Sequence, residues 1–115
     1  MKIKNTNIIL TLALFFIGIN PIVAQSVGGT TSGSATYCTT INSGFISLSG
    51  QTGVIQDWEF STNGGLIWNS TGNITPTQSY LNLTQTTQYR AIVQDGTSPP
   101  AISSISTITI NPAAI

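Results

Sequence analysis

Few residues in this 115-residue chain carry reactive side chains, and those few are quickly weighed. There is no histidine, so the commonest general base and metal ligand is missing and no Ser-His-Asp or Cys-His arrangement can be built. Asp57 and Glu59 sit two residues apart, a spacing that on a strand puts both carboxylates on one face. Paired carboxylates suit acid–base work, but two solvated charges on an exposed face account for this pair better. A calcium site joining them to Asp95 lacks the dense oxygen-ligand loop that such sites favour. No metal and no cofactor is expected, and the reading is of a protein that is not an enzyme. Cys38 is the single cysteine and therefore an unpaired thiol. No base or cation near it in sequence would lower its pKa, so it reads as a small, partly buried apolar residue rather than a reactive group. The aromatics offer a sharper alternative. Trp68 beside Asn69, with Tyr80 and Tyr37, has the composition of a sugar-stacking platform, although packing over a hairpin as part of the fold is the favoured role for Trp68.

The elements that must position these residues are short strands. Residues 1–24 read as a signal peptide: Lys2 and Lys4 precede a twelve-residue, largely apolar run from Ile8 to Ile19, Asn20-Pro21 breaks it, and Ala24 offers a small residue for cleavage. The run is too short for the roughly 20 residues of a membrane span, so no membrane insertion is expected after cleavage. An exported chain, extracellular or at the cell surface, follows. Without that segment one cation, Arg90, faces Asp57, Glu59 and Asp95, a net charge of −2. No basic patch is left for nucleic acid.

Residues 25–34 are rich in Gly, Ser and Thr and read as a flexible leader. From there to residue 113, β-prone runs recur about every ten residues between turn signals, the spacing of a β-sandwich. The expected strands are Ala35–Thr39, Phe45–Ser49, Val54–Ser61, Leu66–Trp68, Tyr80–Leu83, a run from Tyr89, and Ser104–Asn111. Thr62-Asn63-Gly64-Gly65 is the strongest hairpin signal, because Asn and Gly tolerate positive φ. Alternation predicts a core of Ile46, Leu48, Trp58, Phe60, Leu81, Leu83, Tyr89, Ala91, Val93, Ile108 and Ile110. Leu83-x-x-x-Thr87-x-Tyr89 leading into a strand has the pattern of a tyrosine corner, in which the Tyr hydroxyl bonds back to the backbone near the start of the motif. The fold class is all-β: an immunoglobulin-like Greek-key sandwich of about seven strands over 35–113, held by Trp58, Tyr89 and Leu83.

With these motifs placed, the chain resembles the immunoglobulin-like repeats of very large surface and gliding-motility-associated adhesin proteins of flavobacteria. The resemblance rests on Asn42, Gly44, Leu48-Ser49-Gly50, Gly53, Ile55, Trp58, Gly64-Gly65, Trp68, Leu83-Thr84, Thr86-Thr87, Tyr89-Arg90-Ala91 and Val93. It covers essentially all of 35–113. It implies a secreted or cell-surface module with a structural or adhesive role, one repeat of a larger adhesin or a fragment of one. Its partners would be neighbouring repeats, other surface proteins or glycans, with weak self-association through uncharged strand edges. The alternative is a small carbohydrate-binding module using Trp68 and Tyr80. Such repeats usually carry a second cysteine where this chain has Thr97-Ser98, so the resemblance implies that Cys38 has lost a bridge partner. It also implies tandem repeats, and Asn111-Pro112 has the character of an inter-repeat junction.

Overall fold

The computed structural model describes residues 25–111; the expected signal peptide lies outside them. The described residues are all-β, with nine strands in two sheets and no helix among them. The smaller sheet has the order β1-β3-β6, from Thr30–Ser32, Ser43–Ser49 and Thr77–Leu81. The larger has the order β2-β9-β7-β4-β5, from Ala35–Tyr37, Ser106–Ile110, Thr87–Gln94, Val54–Ser61 and Asn69–Ser70. β8 (Ala101–Ile102) pairs with the far end of β7. All named pairs are antiparallel except β2 with β9.

One apolar core joins the sheets. Ile46, Leu48 and Tyr80 come from the smaller sheet; Ile55, Trp58, Tyr89, Ala91, Val93, Ile108 and Ile110 come from the larger. Period-2 alternation produces most of this set, as in β7, where Thr87, Tyr89, Ala91 and Val93 are buried and the residues between them are not. β4 departs from it. Ile55 and Trp58 are three apart, yet both are buried, because the register with β7 slips between Ile55 and Asp57. Gln56 is the extra residue, and the bulge turns Ile55 back to the core.

β6 is the main correction to the expected core. The strand begins at Thr77, not Tyr80, and its inward residue is Tyr80; Leu81 is 70% exposed. The register Gly44↔Tyr80 explains the phase, since Gly44 leaves room for the phenol that any larger residue would fill: a Cβ there would lie 2.5 Å from the Tyr80 hydroxyl oxygen. Phe60 and Leu83 pack against the core but are only partly buried.

Residues 25–34 are not a loose leader. Val27 bridges Thr52, and Thr31 is buried, with Oγ1 2.7 Å from Ser106 Oγ and its N–H donating to Ser104 Oγ at 2.9 Å. Hydroxyl pairing between Thr31 and the Ser104–Ser106 stretch therefore ties this segment across both sheets. The chain changes sheet between β1 and β2 at Gly33, whose φ of 118° suits glycine. The final strand is likewise broken: β8 and β9 are separate because Ser103 and Ser104 bend away, Ser104 N–H donating to Gly29 O.

The hairpin after β4 is wider than expected. Ser61 Oγ accepts from Gly65 N–H at 2.9 Å and Asn63 Oδ1 accepts from Ile67 N–H at 2.9 Å, so 62–68 forms a loop and the return strand is Asn69–Ser70 rather than Leu66–Trp68. Gly64 and Gly65 take positive φ, as their sequence signal required.

Registers also order the two ends of the sandwich. Tyr37, Ser43, Leu81 and Ile110 lie toward one end, where Asn111 N–H donates to Tyr37 O at 2.8 Å. Val54 pairs with Gln94 toward the other, where Val27 meets Thr52 and Asp95 N–H donates to Ser26 Oγ. The described chain thus starts at one end and leaves at the opposite one.

Candidate functional site

The outer face of the larger sheet gathers three of the four charged residues in 25–111. Glu59 lies opposite Arg90 across β4 and β7, and Arg90 Nε donates to Glu59 Oε1 at 2.8 Å. The Arg90 guanidinium also lies 4.0 Å from the centre of the Trp68 ring. Trp68 thus reaches this face from the widened 62–68 loop and packs on a cation that is itself neutralised. Beneath the same loop Gln88 Oε1 is buried and has no hydrogen-bond partner among the described residues. Asp57 Oδ1 accepts from the Gly72 N–H at 3.0 Å. Each carboxylate of the Asp57/Glu59 pair is therefore engaged separately, one by a backbone amide and one by Arg90. Among the described residues no three His, Cys, Asp or Glu side chains come together to hold a metal.

The sugar-platform residues are separated rather than gathered. Tyr80 points inward and is 7% exposed, a correction to its expected ligand-facing position. Its hydroxyl lies 2.8 Å from the Tyr37 hydroxyl, which donates to Ser43 O at 3.2 Å. The Tyr80 ring lies 6.2 Å from Tyr37 and 6.4 Å from Tyr89, centre to centre. Burial, the hydrogen bond to Tyr37, and the charge that Tyr37 and Tyr89 would carry together push the Tyr80 pKa up to about 12. Burial also raises that of Tyr89.

Trp58 is fully buried, as expected, and its Nε1–H donates to Thr75 O at 2.7 Å, tying the 71–76 crossover to the core. Tyr89 is buried, but its hydroxyl makes no hydrogen bond among the described residues, so the tyrosine corner is not closed in the expected way. Asn42 does that work. Its Oδ1 accepts from Leu83 N–H at 2.9 Å, its Nδ2 donates to Leu83 O at 3.0 Å and Thr39 O at 3.2 Å, and the residue is 5% exposed. A side-chain amide carries a donor and an acceptor on two separate atoms, so it can bond the N–H and the C=O of one residue at once. In sequence Asn42 reads as a turn residue and as part of the resemblance motif, with nothing to mark it as the residue that closes this corner.

Cys38 is exposed, not partly buried, because β2 ends at Tyr37 and the thiol lies in the following loop. Thr97-Ser98 stand beyond the opposite end of β7. The eight residues of that strand, seven steps of about 3.4 Å, separate the two positions by roughly 24 Å, far beyond the roughly 7 Å limit between Cα atoms of a disulfide. In this structure Cys38 and Thr97-Ser98 are thus too far apart for a bridge between those positions.

Each end of the sandwich carries a depression. At the C-terminal end Tyr37, Ile41, Asn42, Ser43, Leu81 and Asn82 line a cleft of about 330 Å³. At the N-terminal end Gln25, Ser26, Ser98, Pro99, Pro100 and Ala101 line one of about 270 Å³. Nor is the edge at β6 bare. Thr77 O accepts from Asn73 Nδ2 at 2.6 Å and from Thr75 Oγ1 at 2.8 Å, and Ser79 O from Gln78 Nε2 at 2.9 Å. Uncharged side chains thus cover acceptors that β6 would otherwise offer to another strand. No helix among the described residues is long and apolar enough to cross a membrane.

A comparison with curated proteins gives no match. A family profile described as a domain of unknown function (DUF8696) matches residues 27–112. That span opens at Val27, where the bridge to Thr52 begins the ordered pairing, and so includes the segment expected as a leader. The chain belongs to the DUF8696 family.

Proposed function

We propose that this chain is an exported, immunoglobulin-like surface module with a structural or adhesive role, one repeat or a piece of a larger surface protein. The observation that carries the reading is the placement of the described chain's first and last residues at opposite ends of the sandwich. A domain built that way transmits a chain straight through itself, which is what modules in series require. The strand order supports the immunoglobulin-like reading: the first segment divides between both sheets as β1 and β2, and β9-β7-β4-β5 lies opposite β1-β3-β6. Engaged carboxylates and a sparsely charged surface fit a binding or structural role better than catalysis.

The carbohydrate-binding alternative now rests on Trp68 alone, with one ring face already taken by Arg90. Displaying the full chain on cells tests both readings. Adhesion would be measured to cells carrying the same chain, to bare surfaces and to a glycan array, with Trp68→Ala as comparison. Adhesion above that of an unrelated displayed domain, unchanged by Trp68→Ala, is the expected result. Glycan binding abolished by Trp68→Ala would favour the alternative. No adhesion to any of the three would remove the adhesive role.

A further inference from the structure

We infer that the outer face of the smaller sheet binds a neutral, extended polysaccharide, with Phe45 as the stacking ring. The inference deepens the surface-module reading, on which it rests, by giving that module a ligand, and it uses a different face from Trp68. Phe45 points away from the core from the middle of β3 and is 62% exposed. Alternation places Ser43 and Ser47 on the same side of the strand, and the register sets Ser79 of β6 beside the ring. All three neighbours are small, so little shields the ring. The next row across the sheet is Ser32, Ser47 and Thr77, one from each strand. None of the hydroxyls of Ser32, Ser43, Ser47, Thr77 and Ser79 bonds to another described residue. The inward Thr31, in contrast, has its hydroxyl taken by Ser106.

The chemistry of that face selects its occupant. The four charged residues of 25–111 all lie elsewhere: Asp57, Glu59 and Arg90 on the outer face of the larger sheet and Asp95 beyond the end of β7. A charged polymer, acidic polysaccharide included, would lose hydration here and gain no counter-charge. A protein partner would bring an apolar centre to bury, and beside Phe45 the three strands offer only Leu81 as an exposed large apolar residue. A neutral sugar chain matches both kinds of group. The C–H side of a pyranose packs on an aromatic ring, and its hydroxyls pair with those of serine and threonine, which both donate and accept. Spacing fits as well. Ser32, Ser47 and Thr77 stand about 4.8 Å apart across the strands, close to the length of one pyranose unit in an extended chain. A chain lying across the three strands would meet one hydroxyl per sugar.

Native-gel affinity electrophoresis of the full chain tests this, in gels holding hydroxyethyl cellulose, galactomannan or carboxymethyl cellulose. The wild type should be slowed in at least one neutral gel and least in the carboxymethylated one. Phe45→Thr, a β-prone residue at an exposed strand position, should weaken the apparent affinity at least about tenfold, and Phe45→Tyr should keep it. Ser47→Ala with Thr77→Val removes two hydroxyls of one row and should weaken binding as well, and it serves should Phe45→Thr fail to fold. Each variant is checked for an unchanged thermal melt, and Trp68→Ala should change nothing. Migration unaffected by both neutral polymers would overturn the inference. So would retardation that survives Phe45→Thr, is lost with Trp68→Ala, or is strongest in carboxymethyl cellulose. If the neutral polymers fail while displayed cells still adhere, the glycan site falls and the adhesive reading stands.

Discussion

Replacing Asn42 by alanine removes three hydrogen bonds from one buried position while leaving the backbone bond from Asn82 N–H to Asn42 O in place. Each such bond is worth about 0.5–1.5 kcal/mol net, and a buried partner left unpaired costs about 1–3 kcal/mol. Leu83 is only half-buried, so water can reach part of what is orphaned. The expected loss is about 2–4 kcal/mol, or on the order of 10–25 °C in Tm for a domain of this size. Tyr89→Phe is the matched control. Its hydroxyl makes no hydrogen bond among the described residues, so the change should move stability by less than about 0.5 kcal/mol, since no bond worth about 1 kcal/mol is lost. Urea denaturation followed by fluorescence of the buried Trp58 measures both. If Tyr89→Phe costs more than Asn42→Ala, the phenol closes this corner after all and the reasoning from Asn42 is refuted.

Three further outcomes follow from the same geometry. Trp58→Ala should cost about 3–5 kcal/mol, because a fully buried ring and its bond to Thr75 O are lost together; an unchanged urea midpoint would contradict the core. Raising the pH should destabilise the fold from about pH 10 upward, checked by circular dichroism and by phenolate absorbance. Tyr80 and Tyr89 have folded pKa values above 10, so their contribution is complete below pH 10 and, for Tyr80, is lost as pH rises through about 12. Tyr80→Phe should remove the most alkaline step of that titration. Arg90→Ala should cost about 0.5–2 kcal/mol and shift Trp68 emission, since the half-buried cation is shared between Glu59 and the indole; Arg90→Lys should restore little of the stacking.

How far the fold could be read before folding depends on the range of the interaction concerned. Strict alternation in 87–94 and 106–110 is a local property of the backbone, and it marks Tyr89, Ala91, Val93, Ile108 and Ile110 as buried without reference to anything else. The same rule fails at Ile55, because the bulge at Gln56 exists only as a mismatch with β7. It fails at Leu81 because the phase of β6 is set by Gly44 on another strand, which makes room for Tyr80. Thr31 looks like leader sequence until Ser104 and Ser106, more than seventy positions away, supply its hydroxyl partners.

The candidate surfaces follow the same division. Trp68, Arg90 and Glu59 are each visible in the sequence, but their contact depends on the width of the 62–68 loop and on the β4–β7 register. The two end clefts join residues as far apart as Tyr37 and Asn82, or Gln25 and Ala101, and have no local signature. What the sequence determined alone is an all-β fold for the described residues and a chain with little charge and no histidine, because composition and period act residue by residue. Tertiary structure alone decided that Asn42 rather than the Tyr89 hydroxyl closes the corner, that Cys38 lies far from Thr97-Ser98, and that the chain enters and leaves at opposite ends. Each of those depends on which backbone groups are brought within hydrogen-bonding distance, and that is set only when the two sheets pack.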